Sequence, residues 1–297
     1  MEEMEGLPVS LASRDARRYC ARLARGHYEN FTVVSWFLPR SLRQHFYNVY
    51  AYCRWADDLA DETGDPARAL ELLDEWEREL DACYAGRPGH PVFVALAETI
   101  REFELPSEPF RHLLQAFRQD QRVTRYETYA DLLEYCRYSA NPVGRLVLML
   151  CGYRDEERMR LSDCICTGLQ LANFWQDVTV DLDKGRIYLP REDQERFGVS
   201  EEQIARRLFT PEFAALIRCQ VERTRDLFAR GTPLIGMVDR RVRSDIRLFA
   251  RGGEEVLRLI ERQGYDVLTR RPSLSRARKA ALIAGALLED IGFGAAK

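Results

Sequence analysis

The chain of 297 residues carries 44 Lys and Arg against 47 Asp and Glu, a formal net charge of −3 at pH 7. Because this balance leaves no excess of positive charge, nucleic acid is not an expected partner. The length is sufficient for a large buried core, while the longest apolar runs, 146–151 and 280–288, are far below the ~20 residues that cross a bilayer.

Apolar residues recur at three- and four-residue spacing along nearly the whole chain, and period-2 alternation is scarce. In chain order this pattern predicts helices at 10–26, 39–62, 66–85, 90–104, 108–122, 128–151, 156–183, 200–208, 211–230, 237–263 and 274–291. Pro142 falls inside a predicted helix and is expected to kink or break it. Helix-breaking residues cluster at 62–66, 85–90 and 183–193, but no cluster is long enough to link domains, so we expect one all-α domain over residues 1–297.

The helix predicted at 39–62 carries a polar stripe. Tyr50, Arg54, Asp57 or Asp58, and Asp61 recur at i, i+4, i+7/8 and i+11, which is one face of an α-helix. The flanking sequence YNVYAYCRWA is too apolar and aromatic for a helix lying free in solvent. Carboxylates in such surroundings need a counter-charge.

A second stripe lies on the helix predicted at 156–183, where Gln170, Asn173, Asp177 and Asp181 recur at i, i+3, i+7 and i+11. For either stripe alone, a solvent-facing side of an amphipathic helix is the alternative interpretation. Together the stripes hold five aspartates with few basic neighbours, and Mg²⁺ is the better counter-charge, because it binds carboxylate and phosphate oxygens. Two facing acidic helices would hold ions that draw electrons from a diphosphate leaving group.

The two segments that carry the stripes, YAYCRWADDLADE and QLANFWQDVTVDLDKGRIYLP, resemble the paired DxxxD signatures of the squalene/phytoene synthases. The resemblance extends from about residue 14 to residue 292. It implies an all-α isoprenoid synthase fold, a helical bundle around a central cavity. It also implies more than one Mg²⁺ ion and head-to-head chemistry on prenyl diphosphates.

The resemblance assigns roles to individual residues. Asp57 with Asp61, and Asp177 with Asp181, match the two metal-binding pairs. Tyr50 and Arg54 match residues beside the first pair, with Arg54 contacting the diphosphate. Lys184, Arg186 and Tyr188 match a flap over the diphosphate, and the other matched positions that would line the substrate cavity are His27, Phe31, Tyr135, Gln170 and Asn173.

For several positions the sequence allows more than one role. Asp58 either binds a metal through water or pairs with Arg54. Asn173, Asp177 and Asp181 also have the spacing of the metal triad of class I terpene cyclases. Asn30 and Asn141 are candidates for positioning a water molecule at the substrate, although Asn141 alternatively marks only the kink before Pro142.

The sequence departs from the commoner family pattern at three places. They are Asn30 in place of a serine, SANPVGR at 139–145 in place of a Gly-rich segment, and Gly252–Gly253 in place of a tyrosine. These features resemble the bacterial hopanoid-pathway branch, particularly its hydroxysqualene synthases, which ionise presqualene diphosphate and let water capture the rearranged cation. No GxGxxG motif follows a strand, and we expect no NADPH requirement.

Several alternatives stay open. Presqualene diphosphate, squalene and phytoene synthases condense two prenyl diphosphates, such as farnesyl diphosphate, with similar motifs. Head-to-tail elongases and class I cyclases are more distant rivals, and some proteins of this fold are non-catalytic assembly factors. Eight scattered cysteines without a zinc pattern indicate free thiols and a cytoplasmic protein, with peripheral contact to the inner membrane for product release left open.

Overall fold

The structure is a computed structural model that describes residues 9–26, 39–275 and 277–278. These residues form helices and no strands, which confirms the all-α prediction. The helices are α1 (Val9–Gly26), α2 (Arg40–Asp61), α3 (Pro66–Tyr84), α4 (Pro91–Glu102), α5 (Glu108–Asp120), α6 (Tyr129–Ser139), α7 (Asn141–Leu150), α8 (Glu156–Gln176), α9 (Val178–Asp183), α10 (Arg191–Phe197), α11 (Glu201–Ala205), α12 (Pro211–Gly231), α13 (Leu234–Met237) and α14 (Arg240–Arg262).

The helix predicted at 128–151 is two helices. α6 ends at Ser139, α7 begins at Asn141, and Ala140 between them has φ −114° and ψ −48°. Pro142 has no backbone N–H and its ring clashes with the preceding turn, so the helix breaks just before it, as expected.

The prediction of one continuous helix over 156–183 is wrong at one position. Asp177 ends α8 and precedes α9, with a backbone at φ −105° and ψ 17°. Aspartate has low helix propensity, and Val178, Thr179 and Val180 are β-branched residues that also disfavour helix. The second polar stripe is therefore divided between two helices.

The structure also differs from the prediction in its short helices. α10 lies partly within the segment 183–193 that we expected to be irregular, and α13 was not predicted. α11 covers only part of the helix predicted at 200–208, since the chain turns at Arg207, which has φ 55°. The helix predicted at 274–291 lies almost entirely outside the described residues.

The chain divides into two compact units. The first unit consists of Met1–Arg122 and Pro142–Arg154. The second unit consists of Val123–Asn141 and Asp155–Lys297. In the first unit, α2 packs against α1, α3, α4 and α5. Tyr52 of α2 is fully buried, and its hydroxyl donates a hydrogen bond to the carbonyl oxygen of Phe110 at 2.9 Å. Burial of this face of α2, which includes Phe46, Val49 and Ala56, leaves the polar stripe on the remaining surface of the helix.

In the second unit, α8 packs against α6, α12 and α14. Trp175 of α8 is fully buried, and its Nε1 donates to Thr224 Oγ1 at 2.8 Å. Phe228 of α12 packs directly on Gly168 and Gly253. A Cβ atom at Gly253 would lie 2.3 Å from Phe228 Cζ, so this close helix packing requires glycine there.

Among the described residues, none of the helices combines the length and the apolar character needed to cross a membrane. All eight cysteines are free thiols, as the sequence indicated. The single domain expected over 1–297 stays a prediction, and each unit is described by itself below.

Candidate active site

Arg54 forms ion pairs with two aspartates of its own helix. Its Nη1 lies 3.3 Å from Asp57 Oδ2, and its Nη2 contacts Asp58. The Arg54 side chain is 27% exposed, and its Nε is buried without a hydrogen bond. Of the two roles open for Asp58, the structure contains the pairing with Arg54; a metal contact through water stays a prediction.

Tyr50 and Asp61 lie at the two ends of the same stripe. α2 spans all of these positions, so the single helical face predicted from spacing is present. Burial raises the pKa of Tyr50, and the nearby Arg54 acts in the opposite direction. The phenol therefore keeps its proton at neutral pH, whereas Asp61 is exposed to solvent.

The second aspartate pair lies where α8 gives way to α9. The backbone N–H of Asp181 donates to the carbonyl oxygen of Asp177 at 2.9 Å, which places the two aspartates one turn apart. Gln170 is half-buried on α8, whereas Asn173, one turn before Asp177, is exposed. The pair and Asn173 thus lie close together along the chain despite the break at Asp177.

Arg271 binds Asp177 through two hydrogen bonds. Arg271 Nε donates to Asp177 Oδ1, and Nη2 donates to Oδ2 at 3.2 Å. The Asp177 side chain is 13% exposed and that of Arg271 is 49% exposed. Gln176 Nε2 donates to the carbonyl oxygen of Pro272 at 2.7 Å and so holds the same segment at the end of α8. Arg271 was not among the predicted site residues, because two adjacent arginines after a glycine turn are only a weak signal of a binding site.

An aromatic cluster lies beside the second aspartate pair. The rings of Phe174 and Tyr188 are parallel within 10°, with centroids 3.7 Å apart, and Tyr135 lies 6.1 Å from each. Tyr126 stacks on Tyr188 at 5.8 Å. Phe174, Tyr188 and Asp181 line one small cleft, so the predicted cavity residue Tyr135 is buried directly behind this cleft.

The turn after α9 holds the three residues expected in a flap. The backbone N–H of Arg186 donates to the carbonyl oxygen of Asp181 at 2.8 Å, and Gly185 adopts φ 76°, which suits glycine. Lys184 is exposed, Arg186 lines the cleft, and Tyr188 is buried in the aromatic cluster. Movement of this turn over a diphosphate stays a prediction.

Asn141 is buried and accepts a hydrogen bond from Thr167 Oγ1 at 2.9 Å through its Oδ1. This bond links the start of α7 to α8, a contact that sequence analysis missed. His27, Asn30 and Phe31, which were expected to face the site, lie outside the described residues.

The two aspartate pairs fit a divalent cation. Each pair presents carboxylate oxygens one helical turn apart, and Mg²⁺ is typically bound by one or two carboxylates while it keeps several waters. Across the part of the chain that the structure describes, no three His, Cys, Asp or Glu side chains come together as a metal-binding group. Binding of Mg²⁺ by these aspartates stays a prediction. The expectation that the two stripes face one another stays a prediction.

Residues 24–278 match the family model described as squalene/phytoene synthase. The chain belongs to the squalene/phytoene synthase family. Members of this family act on prenyl diphosphates. The second aspartate pair, its arginine and the aromatic cluster all lie within the matched residues.

Among curated relatives of this family, the 15-cis-phytoene synthase of Synechococcus elongatus is 28% identical over 286 residues, covering 92% of this chain and 93% of that protein. The phytoene synthase of Arthrospira platensis is 29% identical over 270 residues, covering 86% and 87%.

Two solved structures extend the comparison. The squalene synthase HpnC from Alicyclobacillus acidocaldarius is 48% identical with a TM-score of 0.83, covering 88% of this chain and 97% of that chain. A dehydrosqualene synthase in complex with a ligand is 28% identical with a TM-score of 0.85, covering 95% and 99%. The isoprenoid synthase fold implied by the sequence is thereby confirmed.

Proposed function

We propose that this family member is a hydroxysqualene synthase, which converts presqualene diphosphate and water to hydroxysqualene and diphosphate. The observation that carries the proposal is the difference in identity among relatives. The chain is 48% identical to a squalene synthase over most of its length, against 28% for a cyanobacterial phytoene synthase. This difference favours the squalene side of the family over the carotenoid side.

The first step is the loss of diphosphate. The carbon–oxygen bond of presqualene diphosphate breaks, and the diphosphate leaves with the electron pair. Asp57, Asp61, Asp177 and Asp181 would hold Mg²⁺, which when bound neutralises the charge that develops on the leaving group. The guanidinium of Arg54, partly desolvated beside Asp57 and Asp58, would donate hydrogen bonds to diphosphate oxygens when the substrate is bound.

The carbocation that remains needs an environment that stabilises positive charge without capturing it. Aromatic side chains of the predicted cavity, Tyr135 among them, would provide this through cation–π attraction. After rearrangement, the oxygen of a water molecule attacks the cation and the oxonium loses a proton, giving the alcohol. Positioning of this water by Asn30 or Asn141 is part of the proposal.

Gly252 and Gly253 support assignment to this branch. Gly253 faces Phe228 so closely that a Cβ atom would lie 2.3 Å from Cζ, so a tyrosine cannot occupy this position in this core. A Cβ atom at Gly252 would meet no heavy atom within 4 Å, so its glycine leaves space. The family members with a tyrosine in this segment therefore differ from this chain in packing as well as in polarity.

The proposal is tested by incubating the pure protein and Mg²⁺ with presqualene diphosphate, and separately with farnesyl diphosphate, each with and without NADPH. We expect hydroxysqualene from presqualene diphosphate without NADPH, and no product from farnesyl diphosphate. Incorporation of ¹⁸O into the hydroxyl group of hydroxysqualene formed in H₂¹⁸O identifies water as the nucleophile. A cytoplasmic location with product release at a membrane accompanies this proposal.

Other outcomes of this assay assign the chain elsewhere. Product from farnesyl diphosphate alone would indicate a presqualene diphosphate or dehydrosqualene-type synthase, and squalene that requires NADPH would indicate a reductive squalene synthase. If geranylgeranyl diphosphate is added as a third substrate, phytoene as the product would agree with the names of the curated relatives. No turnover of any prenyl diphosphate would indicate a non-catalytic assembly factor.

A further inference from the structure

Asp177 is a predicted metal ligand, yet both of its carboxylate oxygens accept hydrogen bonds from Arg271. Arg271 comes from a distant part of the chain, 94 residues away. We propose that Arg271 is an internal counter-cation that competes with Mg²⁺ for Asp177, so that metal binding at the second aspartate pair releases the segment 271–275. This inference rests on the metal-binding role of Asp177 in the proposed function.

The competition follows from the geometry of the pair. Mg²⁺ requires direct contact with a carboxylate oxygen and near-ideal octahedral geometry. A guanidinium that donates to both oxygens of the same carboxylate covers the positions that the ion would occupy. Its positive charge also repels a dication at short range. The ion and Arg271 therefore cannot both keep full contact with Asp177.

The first aspartate pair differs in one respect. Arg54 contacts Asp57 from three residues away on the same helix, so its position changes only by rotation of its side chain. Arg271 follows α14 on a short segment without helix, so it can leave Asp177 together with its backbone. Loss of the ion pair at Asp177 therefore lets the backbone around Arg271 move, whereas loss of the pair at Asp57 moves only the Arg54 side chain.

Two side-chain hydrogen bonds reach the backbone around Arg271. Gln176 Nε2 donates to the Pro272 carbonyl oxygen at 2.7 Å, and Gln263 Nε2 donates to the Arg270 carbonyl oxygen at 3.0 Å. The second bond holds Arg270 near the end of α14, whereas the first lies beside the Asp177 pair. Release of Arg271 removes a contact at the end of α8, and we expect residues 271–275 to become more accessible as a result.

The test measures Mg²⁺ binding to the full chain without substrate, by isothermal titration. We expect Arg271→Gln to bind Mg²⁺ about fivefold more tightly than the wild type, ~1 kcal/mol, because a competing ion pair is absent. Arg270→Gln is the matched control, since it removes the same charge one residue away and its side chain is exposed. Wild-type affinity in Arg270→Gln together with tighter binding in Arg271→Gln supports the proposal. Equal affinity in all three proteins, or no measurable binding in any of them, overturns it.

A second measurement begins with the wild-type protein. Hydrogen exchange of the wild-type protein should become faster in residues 273–275 when Mg²⁺ is added. The same addition to Asp177→Asn should leave that exchange unchanged. Unchanged exchange in the wild type overturns the proposal even if the protein is an active hydroxysqualene synthase, whereas failure of the product assay leaves both of these measurements valid.

Discussion

Arg54 Nη1 lies 3.3 Å from Asp57 Oδ2, three residues further along the same helix. The same guanidinium contacts Asp58, so one cation pairs with two carboxylates that would otherwise repel each other. Because the arginine is itself partly buried, it is held in one position beside the aspartates. Arg54, Asp57 and Asp58 are therefore a prearranged group of charges on α2.

We expect Arg54→Gln to lower kcat/KM for the prenyl diphosphate about 30- to 100-fold. The substitution removes a charged donor to the diphosphate, which typically contributes ~2–3 kcal/mol. The measurement is steady-state kinetics with the substrate that the product assay identifies. Arg68→Gln on α3, which removes an exposed arginine paired with Glu71, is the control and should retain wild-type kinetics. Equal effects of both substitutions would contradict the assigned role of Arg54.

We expect Asp177→Asn to lower kcat about a hundredfold or more, since a carboxylate ligand of the metal is replaced by a neutral amide. Activity measured against Mg²⁺ concentration should also show a higher half-saturation point. Asp183→Asn is the matched control, because Asp183 is an exposed aspartate at the end of the short helix that Asp177 precedes, and it pairs with Arg207. If Asp183→Asn has the larger effect, the second metal pair is assigned wrongly.

Gly252 and Gly253 should respond in opposite directions to alanine. A Cβ atom at Gly253 would lie 2.3 Å from Phe228 Cζ and 3.0 Å from Leu169 Cδ2, so Gly253→Ala should lower the free energy of unfolding by ~1–3 kcal/mol. Gly252→Ala meets open space in a helix interior and should raise it by ~0.5–1 kcal/mol. Urea denaturation of the three proteins measures both changes. A neutral Gly253→Ala would mean that Phe228 moves away without cost.

His90 should make stability depend on pH. Its Nδ1 accepts a hydrogen bond from the backbone N–H of Val92 at 3.2 Å, and its ring packs edge-on against Trp55 and Trp76. Burial lowers the pKa of His90 below its usual 6.5, although Glu79 acts in the opposite direction. Because the unfolded chain then binds the proton more readily, this contribution to stability is complete above about pH 6.5 and is lost as the pH falls through that value toward the folded pKa.

The measurement is urea denaturation at about pH 7.5 and about pH 5.5. The free energy of unfolding should fall less in His90→Asn than in the wild type, since asparagine can still cap α4 but does not titrate. His112→Asn is the control, because His112 lies near the surface 3.6 Å from Glu108 Oε1. A wild-type pH dependence in His90→Asn would exclude His90 as its source.

The amino-acid sequence alone predicted the helical content and the part of the candidate site that lies on α2. Hydrogen bonds in a helix join residues four apart, so apolar spacing predicts the helix and its buried face together. For this reason Tyr50, Arg54, Asp57 and Asp61 lie on one helical face as the spacing predicts. The motif pattern also identified the family, since residue types at short spacing are properties of the chain itself.

The second half of the site depended on tertiary structure. Arg271 reaches Asp177 across 94 residues, Thr167 donates to Asn141 across 26, and Gly253 packs on Phe228 of another helix. No local periodicity encodes these contacts, because each depends on how separate helices pack. Spacing along the chain thus established which aspartates are available for chemistry, and the packing of the folded chain decided which cation holds Asp177.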